Sequence, residues 1–152
     1  MRRHLLSISV GLLLVLVGAW IAYGDVGFAA HGAIQGEFAF GQLYAIHLVF
    51  SVHDTGPELE DDFGSLSIRL SAPGTGKPIY VIVATRVYNV HLASDGSVGF
   101  VATLRKVRGP NPLPQENIQF WAYDGGAADW FQMGMAGYVT IERGNIVLKL
   151  RE

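Results

Sequence analysis

The chain has 152 residues, of which half are apolar and 16% are charged, which suits one domain with a sizeable core. Gly occurs 19 times, and β-branched and aromatic residues are frequent, so the composition favours short strands and tight turns over helices. The absence of Cys excludes disulfides, thiolate metal sites, a Cys nucleophile and lipid modification of an N-terminal Cys.

The N-terminal segment predicts export. Residues 2–4 are Arg-Arg-His, and the almost wholly apolar residues 5–23 that follow predict a targeting helix. We interpret residues 1–24 as a secretory signal peptide or, because the apolar run approaches the ~20 residues that span a bilayer, as an uncleaved membrane anchor. Both interpretations place a folded domain of residues 25–152 outside the cytoplasm, since the arginines stay inside. Contact with a membrane is expected only through residues 5–23.

The charge of the exported part argues against nucleic acid as a partner. Without residues 1–24 the chain keeps 9 Lys and Arg against 13 Asp and Glu, a formal charge of −4 with neutral His. Nucleic-acid binding depends on neutralisation of phosphates, which a mildly acidic domain does poorly. The basic cluster Arg105, Lys106 and Arg108 is interpreted as a solvated strand end.

The first half of this domain alternates apolar and polar residues, which is the pattern of half-buried strands. Residues 34–40 predict a strand, a turn at Gly41 leads to a second strand over residues 44–52, and an acidic loop over residues 54–62 precedes a third over residues 66–71. The even-numbered residues of these strands are expected to face the core.

The pattern continues beyond the turn that follows the third strand. Residues 79–92 form a long β-rich run whose phase slips at residues 84–86, which predicts a bulge or bend. Residues 94–97 predict a hairpin turn, and residues 98–104 a return strand. An extended, Pro-rich connection follows at residues 109–114.

The last third predicts three or four further strands. Residues 118–122 and 130–133 are two of them, and residues 138–142 and 146–150 are expected to form a hairpin that turns at residues 143–145. The chain is therefore predicted to be all-β, a single antiparallel meander of about eight or nine strands. A closed barrel is favoured over a two-sheet sandwich, because nearly all connections join neighbouring strands.

Short Gly-rich and aromatic motifs recur through residues 32–150. The most distinctive are residues 122–126 with 129–131, and residues 137–139 with 144–146. Their order resembles the post-COAP-type domains, small extracytoplasmic β domains that follow choice-of-anchor domains in bacterial surface proteins. The Tyr-x-Asp that usually follows the third strand of that family is missing here. The resemblance implies a β-rich module outside the cytoplasm and assigns no activity to it.

Catalytic motifs are scarce. Five His residues occur, none in a His-Glu-x-x-His or His-x-His motif, and no Gly-x-Ser-x-Gly motif is present. His47 and His53 share one strand face but stand about 20 Å apart at ~3.3 Å per residue, too far to bind one metal. No catalytic residue and no metal ligand is therefore assigned.

Two groups of residues are candidates for a functional site. Trp121, Tyr123 and Trp130 form a candidate binding surface, because outward aromatic side chains mark contacts with carbohydrate or protein. The alternative is that these side chains pack under a loop or complete a sandwich. Asp124 and Asp129 flank a Gly-Gly loop and are predicted to be structural caps. A Ca²⁺ site is the alternative, although this stretch alone supplies too few oxygens. No other cofactor is expected.

Three functions remain. The first is a non-catalytic secreted or envelope-surface β module that mediates interaction or assembly with another envelope protein or with carbohydrate. The second is a small barrel that binds an apolar ligand in its interior, and the third is a hydrolytic enzyme. The second requires internal space, whereas bulky residues on the inward face predict a filled core: Phe38, Phe40, Tyr44, Phe50, Phe100 and Phe120.

Overall fold

The computed structural model describes residues 27–56, 61–110, 113, 117–134 and 137–150. Eight antiparallel strands within these residues pair in chain order, and the last pairs with the first to close a barrel. The strands are β1 Phe28–Phe40, β2 Gln42–His53, β3 Phe63–Ser71, β4 Pro78–Leu92, β5 Val98–Arg108, β6 Asn117–Tyr123, β7 Trp130–Met133 and β8 Tyr138–Leu150. The predicted all-β barrel is therefore confirmed, and the two-sheet sandwich is disfavoured.

The predicted targeting helix lies outside the described residues, so export stays a prediction. Among the residues that the structure does describe, no helix is long and apolar enough to cross a membrane.

The alternation of the first three strands divides their side chains between the interior and the solvent. Ile34, Leu48 and Ile68 are 0% exposed, whereas Gln35 and Arg69 face the solvent from the neighbouring odd-numbered positions. Successive side chains of a strand point to opposite faces, so a period of two is enough to assign the inward face. The predicted even-numbered core of these strands is confirmed except at Phe40.

Four phenylalanine rings pack against one another inside the barrel. Phe50, Phe100, Phe120 and Phe131 are each at most 1% exposed, and their ring centroids lie 5.3 to 6.4 Å apart. The interior of an eight-stranded barrel is just wide enough for side chains to fill. These rings therefore occupy the section of the interior in which they lie.

The phase slip predicted in the fourth strand is confirmed as a bulge. The register with β5 shifts between Ala84 and Arg86, and a second irregularity follows Tyr88. Because of these shifts, both Val87 and Val90 point inward, although one is odd-numbered and the other even-numbered.

The predicted turn at residues 143–145 is wrong. β8 runs without interruption from Tyr138 to Leu150, and its register with β1 shifts at Glu142, which makes a β-bulge rather than a turn. Gly144 has φ 114°, and a Cβ at this position would collide with the backbone carbonyl of Ala33 in β1. The glycine therefore permits close approach of two strands. The barrel has eight strands, within the predicted eight or nine.

The predicted inward position of Phe40 is also wrong. Phe40 is 51% exposed, whereas Phe38 is buried, and the two rings stack at 6.4 Å. Phe40 is the last residue of β1, next to the turn at Gly41. Because the strand ends here, the core does not extend over this ring.

Candidate functional site

Five ring-bearing side chains lie on the outer face of the barrel as two groups of contacting rings. They come from four strands and meet because the strand register places them on the same face. We call this group the aromatic strip: His91, Trp121, Tyr123, Trp130 and Tyr138. The structure thus brings together the three residues predicted as a binding surface and adds His91 and Tyr138 to them.

The ring contacts within the strip form two groups, Tyr123 with Trp130 and Tyr138 in one and His91 with Trp121 in the other. Tyr123 and Trp130 stack with their centroids 5.7 Å apart and their planes 18° apart. Tyr138 meets Trp130 edge to face at 5.6 Å, and His91 meets Trp121 edge to face at 5.1 Å. Offset-stacked and edge-to-face pairs are the favourable arrangements of aromatic rings, so the contacts hold the rings in defined orientations.

Gly99 allows the first part of the strip to form. It lies in β5 between His91 of β4 and Trp121 of β6, and the register pairs it with both. A Cβ on Gly99 would come within 2.7 Å of both rings. The missing side chain therefore lets His91 and Trp121 close over the central strand.

The strip is separate from the core that lies beneath it. Phe120, Ala122, Phe131 and Val139 are the inward-facing residues of the same strands, and all four are buried. Tyr138, in contrast, is 60% exposed. Because the core is complete without the strip, its partly exposed ring surface is available to a partner.

Sequence reasoning missed His91 and Tyr138 for a specific reason. The β4 irregularity before His91 hides its outward orientation, and the contact of Tyr138 with Trp130 depends on the β7–β8 register. The one available signal was the alternation of Tyr138 with the apolar residue Val139, which indicates an outward tyrosine but not its neighbours.

Asp124 and Asp129 both accept hydrogen bonds from the backbone of their own loop and of β8. The Gly125 N–H donates to Asp129 Oδ1 at 2.9 Å, and the Ile146 N–H donates to Asp129 Oδ2 at 2.7 Å. The Leu148 N–H donates to Asp124 Oδ2 at 3.0 Å, while a longer contact of 3.4 Å joins the Gly126 N–H to Asp124 Oδ1.

These bonds compensate for the shortness of β7. That strand has four residues and pairs with β8 only through Phe131 and Gln132, so it ends before the second half of β8. There the two carboxylates take the place of a neighbouring strand for the N–H groups of Ile146 and Leu148. Charge-assisted hydrogen bonds of this kind are stronger than those between neutral groups.

All four oxygens of these two carboxylates accept hydrogen bonds. Each accepts one backbone N–H, so each already has a neutral donor as its partner. Within the part of the chain that the structure describes, no three His, Asp or Glu side chains are grouped to hold a metal ion. The arrangement therefore adds no further oxygen ligand for a Ca²⁺ ion at Asp124 and Asp129.

Asp62 belongs to the acidic loop of residues 54–62, yet its side chain is buried. Its Oδ2 accepts the Val90 N–H at 2.7 Å and its Oδ1 accepts the Thr55 N–H at 3.1 Å. Burial raises the pKa of the Asp62 carboxyl, although the two N–H donors oppose this rise. Asp62 therefore ties the β2–β3 connection to β4.

A serine and a histidine lie within hydrogen-bond distance on β2. Ser51 Oγ and His53 Nε2 are 3.1 Å apart, and Phe63 stacks on the His53 ring at 4.6 Å. A Ser–His–acid site needs an acid at Nδ1, and among the described residues the buried Nδ1 atom of His53 has no partner. Ser51 also lies in a regular strand, where the sheet pairs it with His31 on one side and Ser65 on the other.

The aromatic strip is thus the best-defined exposed feature of the barrel, and comparison with known proteins adds nothing to its interpretation. No family model, no curated protein and no solved structure matches the chain. The resemblance to post-COAP-type domains stays a prediction. The residues of the aromatic strip are therefore the basis for inferring a function.

Proposed function

We propose that this protein is a non-catalytic, extracytoplasmic β module that binds carbohydrate through the aromatic strip. The observation that carries the proposal is the line of contacting rings across β6, β7 and β8, above a core that does not need them. Fixed aromatic rings lose little conformational entropy on binding and present an apolar face of large area.

Carbohydrate suits the shape of the strip better than a protein partner does. Sugar rings carry C–H groups on their faces, which pack on aromatic rings, and hydroxyl groups at their edges, which need polar neighbours. The centroids of Tyr123, Trp130 and Tyr138 lie 5.7 and 5.6 Å apart, so their exposed ring surfaces adjoin one another. Gln132 supplies an amide group between Trp121 and Tyr138 in the register.

The extracytoplasmic part of the proposal rests on the N-terminal sequence. An Arg-Arg-His start and the apolar residues 5–23 support export, and the resemblance to post-COAP-type domains supports the same location. Carbohydrate polymers are abundant there, so the location agrees with the proposed ligand.

The two alternative functions receive less support. A ligand inside the barrel would compete with the packed rings of Phe50, Phe100, Phe120 and Phe131. A hydrolase would need a third group beside Ser51 and His53 and donors for an oxyanion. We therefore place the activity on the outer face.

Affinity electrophoresis and co-sedimentation of the purified full-length chain with a panel of polysaccharides test the proposal. We expect retention by at least one polysaccharide, with a change in Trp fluorescence, since Trp121 and Trp130 lie in the strip. The variant Tyr138→Ala should bind about threefold to tenfold more weakly, because one aromatic contact contributes roughly 0.5–1.5 kcal/mol.

Phe40→Ala is the matched control, since it removes an exposed aromatic ring that lies outside the strip. It should bind as the wild type does. Failure of every polysaccharide to retain the chain, or equal weakening by Phe40→Ala and Tyr138→Ala, would refute the proposal.

A further inference from the structure

Positive charge is concentrated on one side of the barrel. Residues 63–108, which form β3 to β5, contain six Lys and Arg and a single acid, Asp95, in the turn between β4 and β5. Residues 27–56, which include β1 and β2, contain Glu37 and Asp54 and no Lys or Arg. Although the exported part has a net charge of −4, its positive and negative residues are distributed unevenly between the strands.

The strand register gathers these cations on the outer face. Val81 of β4 pairs with Arg69 of β3 on one side and Arg108 of β5 on the other, while Arg105 pairs with Val83. All the cations of the group are exposed. We call them the cationic wall: Arg69, Lys77, Arg86, Arg105 and Arg108. In the sequence only Arg105 and Arg108 of this group appear clustered.

The wall includes a shallow depression with two cations at its edge. Lys77 from the β3–β4 turn and Arg108 from the end of β5 line it together with Ala72, Thr75, Pro78 and Ile79. Two cations beside an open recess attract an anion and leave it room to bind.

The cationic wall approaches the aromatic strip along β4. The Arg86 guanidinium lies 4.8 Å above the centre of the Tyr88 ring, in a cation–π contact. Tyr88 is followed on the same strand by His91, the first residue of the strip, and Val101 and Gly99 are their partners in β5. One extended ligand could therefore contact rings on β6 to β8 and cations on β3 to β5.

We infer that the carbohydrate bound by this protein is an anionic polysaccharide, whose sugar rings pack on the aromatic strip while its acidic groups pair with the cationic wall. The inference rests on the proposed function. Four of the five cations are Arg, whose planar group binds carboxylate, sulfate or phosphate in a bidentate manner. Since the remainder of the exported part is acidic, a polyanion would be steered to this one side of the barrel.

Polygalacturonate and its fully methyl-esterified form provide a matched pair of probes, because esterification removes the charge and keeps the sugar chain. We expect the wild type to bind the acid form at least tenfold more tightly at low salt, and the difference to shrink as salt is added. The double variant Arg105→Gln with Arg108→Gln should lose about threefold to tenfold in affinity for the acid form and little for the ester.

The double variant Arg143→Gln with Lys149→Gln is the control. It removes the same charge from β8, outside the wall, and should bind the acid form as the wild type does. Equal binding of the two polymers, or equal losses in the two double variants, would overturn the inference.

The outcomes also separate this inference from the proposed function. If Trp130→Ala weakens binding to both polymers and the Arg105 and Arg108 substitutions weaken neither, the carbohydrate function stands and the anionic ligand is refuted. If Trp130→Ala binds the acid form normally, the strip is not the binding surface and both are refuted. Tight binding to anionic phospholipid vesicles that is insensitive to Trp130→Ala would likewise replace the polysaccharide by a lipid surface.

Discussion

At the scale of single residues, the carboxylates of the β6–β7 loop have the clearest structural role. Asp129 joins two segments that are far apart in the chain, because its oxygens accept N–H groups from Gly125 and Ile146. In Asp129→Asn the side-chain oxygen would still accept one of these N–H groups. The side-chain NH₂ group would face the other N–H, which would then lack an acceptor.

Asp129→Asn should therefore lower the free energy of unfolding by about 1–3 kcal/mol, the range for leaving a partly buried donor unsatisfied. Urea titration measures this loss. Glu142→Gln is the control, since Glu142 is exposed on the same strand, and it should stay within about 0.5 kcal/mol of the wild type.

Asp129→Asn also tests the Ca²⁺ alternative. A structural carboxylate predicts that neither chelator nor added calcium changes the melting temperature of the wild type. A calcium-dependent rise that Asp129→Asn abolishes would show instead that the loop holds the ion.

At the scale of elements, β8 shows what the sequence can and cannot reveal. Its two apolar segments were correctly predicted to be strand, but the turn predicted between them at residues 143–145 is wrong. A glycine with positive φ, such as Gly144, occurs both in turns and inside strands. The close approach of Gly144 to Ala33 of β1 shows that the segment is strand and not turn. That approach exists only once β8 pairs with β1 and closes the barrel.

The same limit applies to the candidate site. Alternation along one strand was enough to place Trp121 and Tyr123 on the outer face, because that property is local. The neighbours of these rings, and the gathering of Arg69 with Arg108 across Val81, depend on register between strands. The register between strands depends on the positions of β-bulges and on closure of the barrel. The apolar–polar alternation of one strand does not determine either of them.

Gly144 and Gly137 form a matched pair of sites for testing the close approach of β8 to β1. Their φ angles are 114° and 118°, yet a Cβ on Gly144 would strike the backbone of β1, whereas one on Gly137 would meet nothing within 4 Å. Alanine should therefore add the same backbone strain at both, about 1–3 kcal/mol, and a steric clash only at Gly144.

We expect Gly144→Ala to be less stable than Gly137→Ala by at least about 1 kcal/mol, measured by denaturant titration. Similar losses in the two variants would indicate that β8 does not approach β1 at this glycine and that the strand register needs revision.

At the scale of the whole molecule, the closed barrel separates two tasks. The inward residues fill the interior with large apolar groups, while the outward rings and cations can vary without disturbing that core. The separation explains why the inward pattern was predictable from hydrophobic alternation and why the surface was less so, since outward positions carry no comparable packing constraint.

Phe100 and Phe40 test this division with one type of substitution. Phe100 is 0% exposed and contacts the rings of Phe50, Phe120 and Phe131, whereas Phe40 is 51% exposed at the end of β1. Phe100→Ala leaves a cavity between packed rings and should lower the free energy of unfolding by about 3–5 kcal/mol. Phe40→Ala loses only a partly exposed contact with Phe38 and should lower it by about 1 kcal/mol or less. Chemical denaturation of the two variants measures both values. Losses of equal size would mean that the ring cluster is not the centre of the core, and an interior ligand site would then become the better account of the barrel.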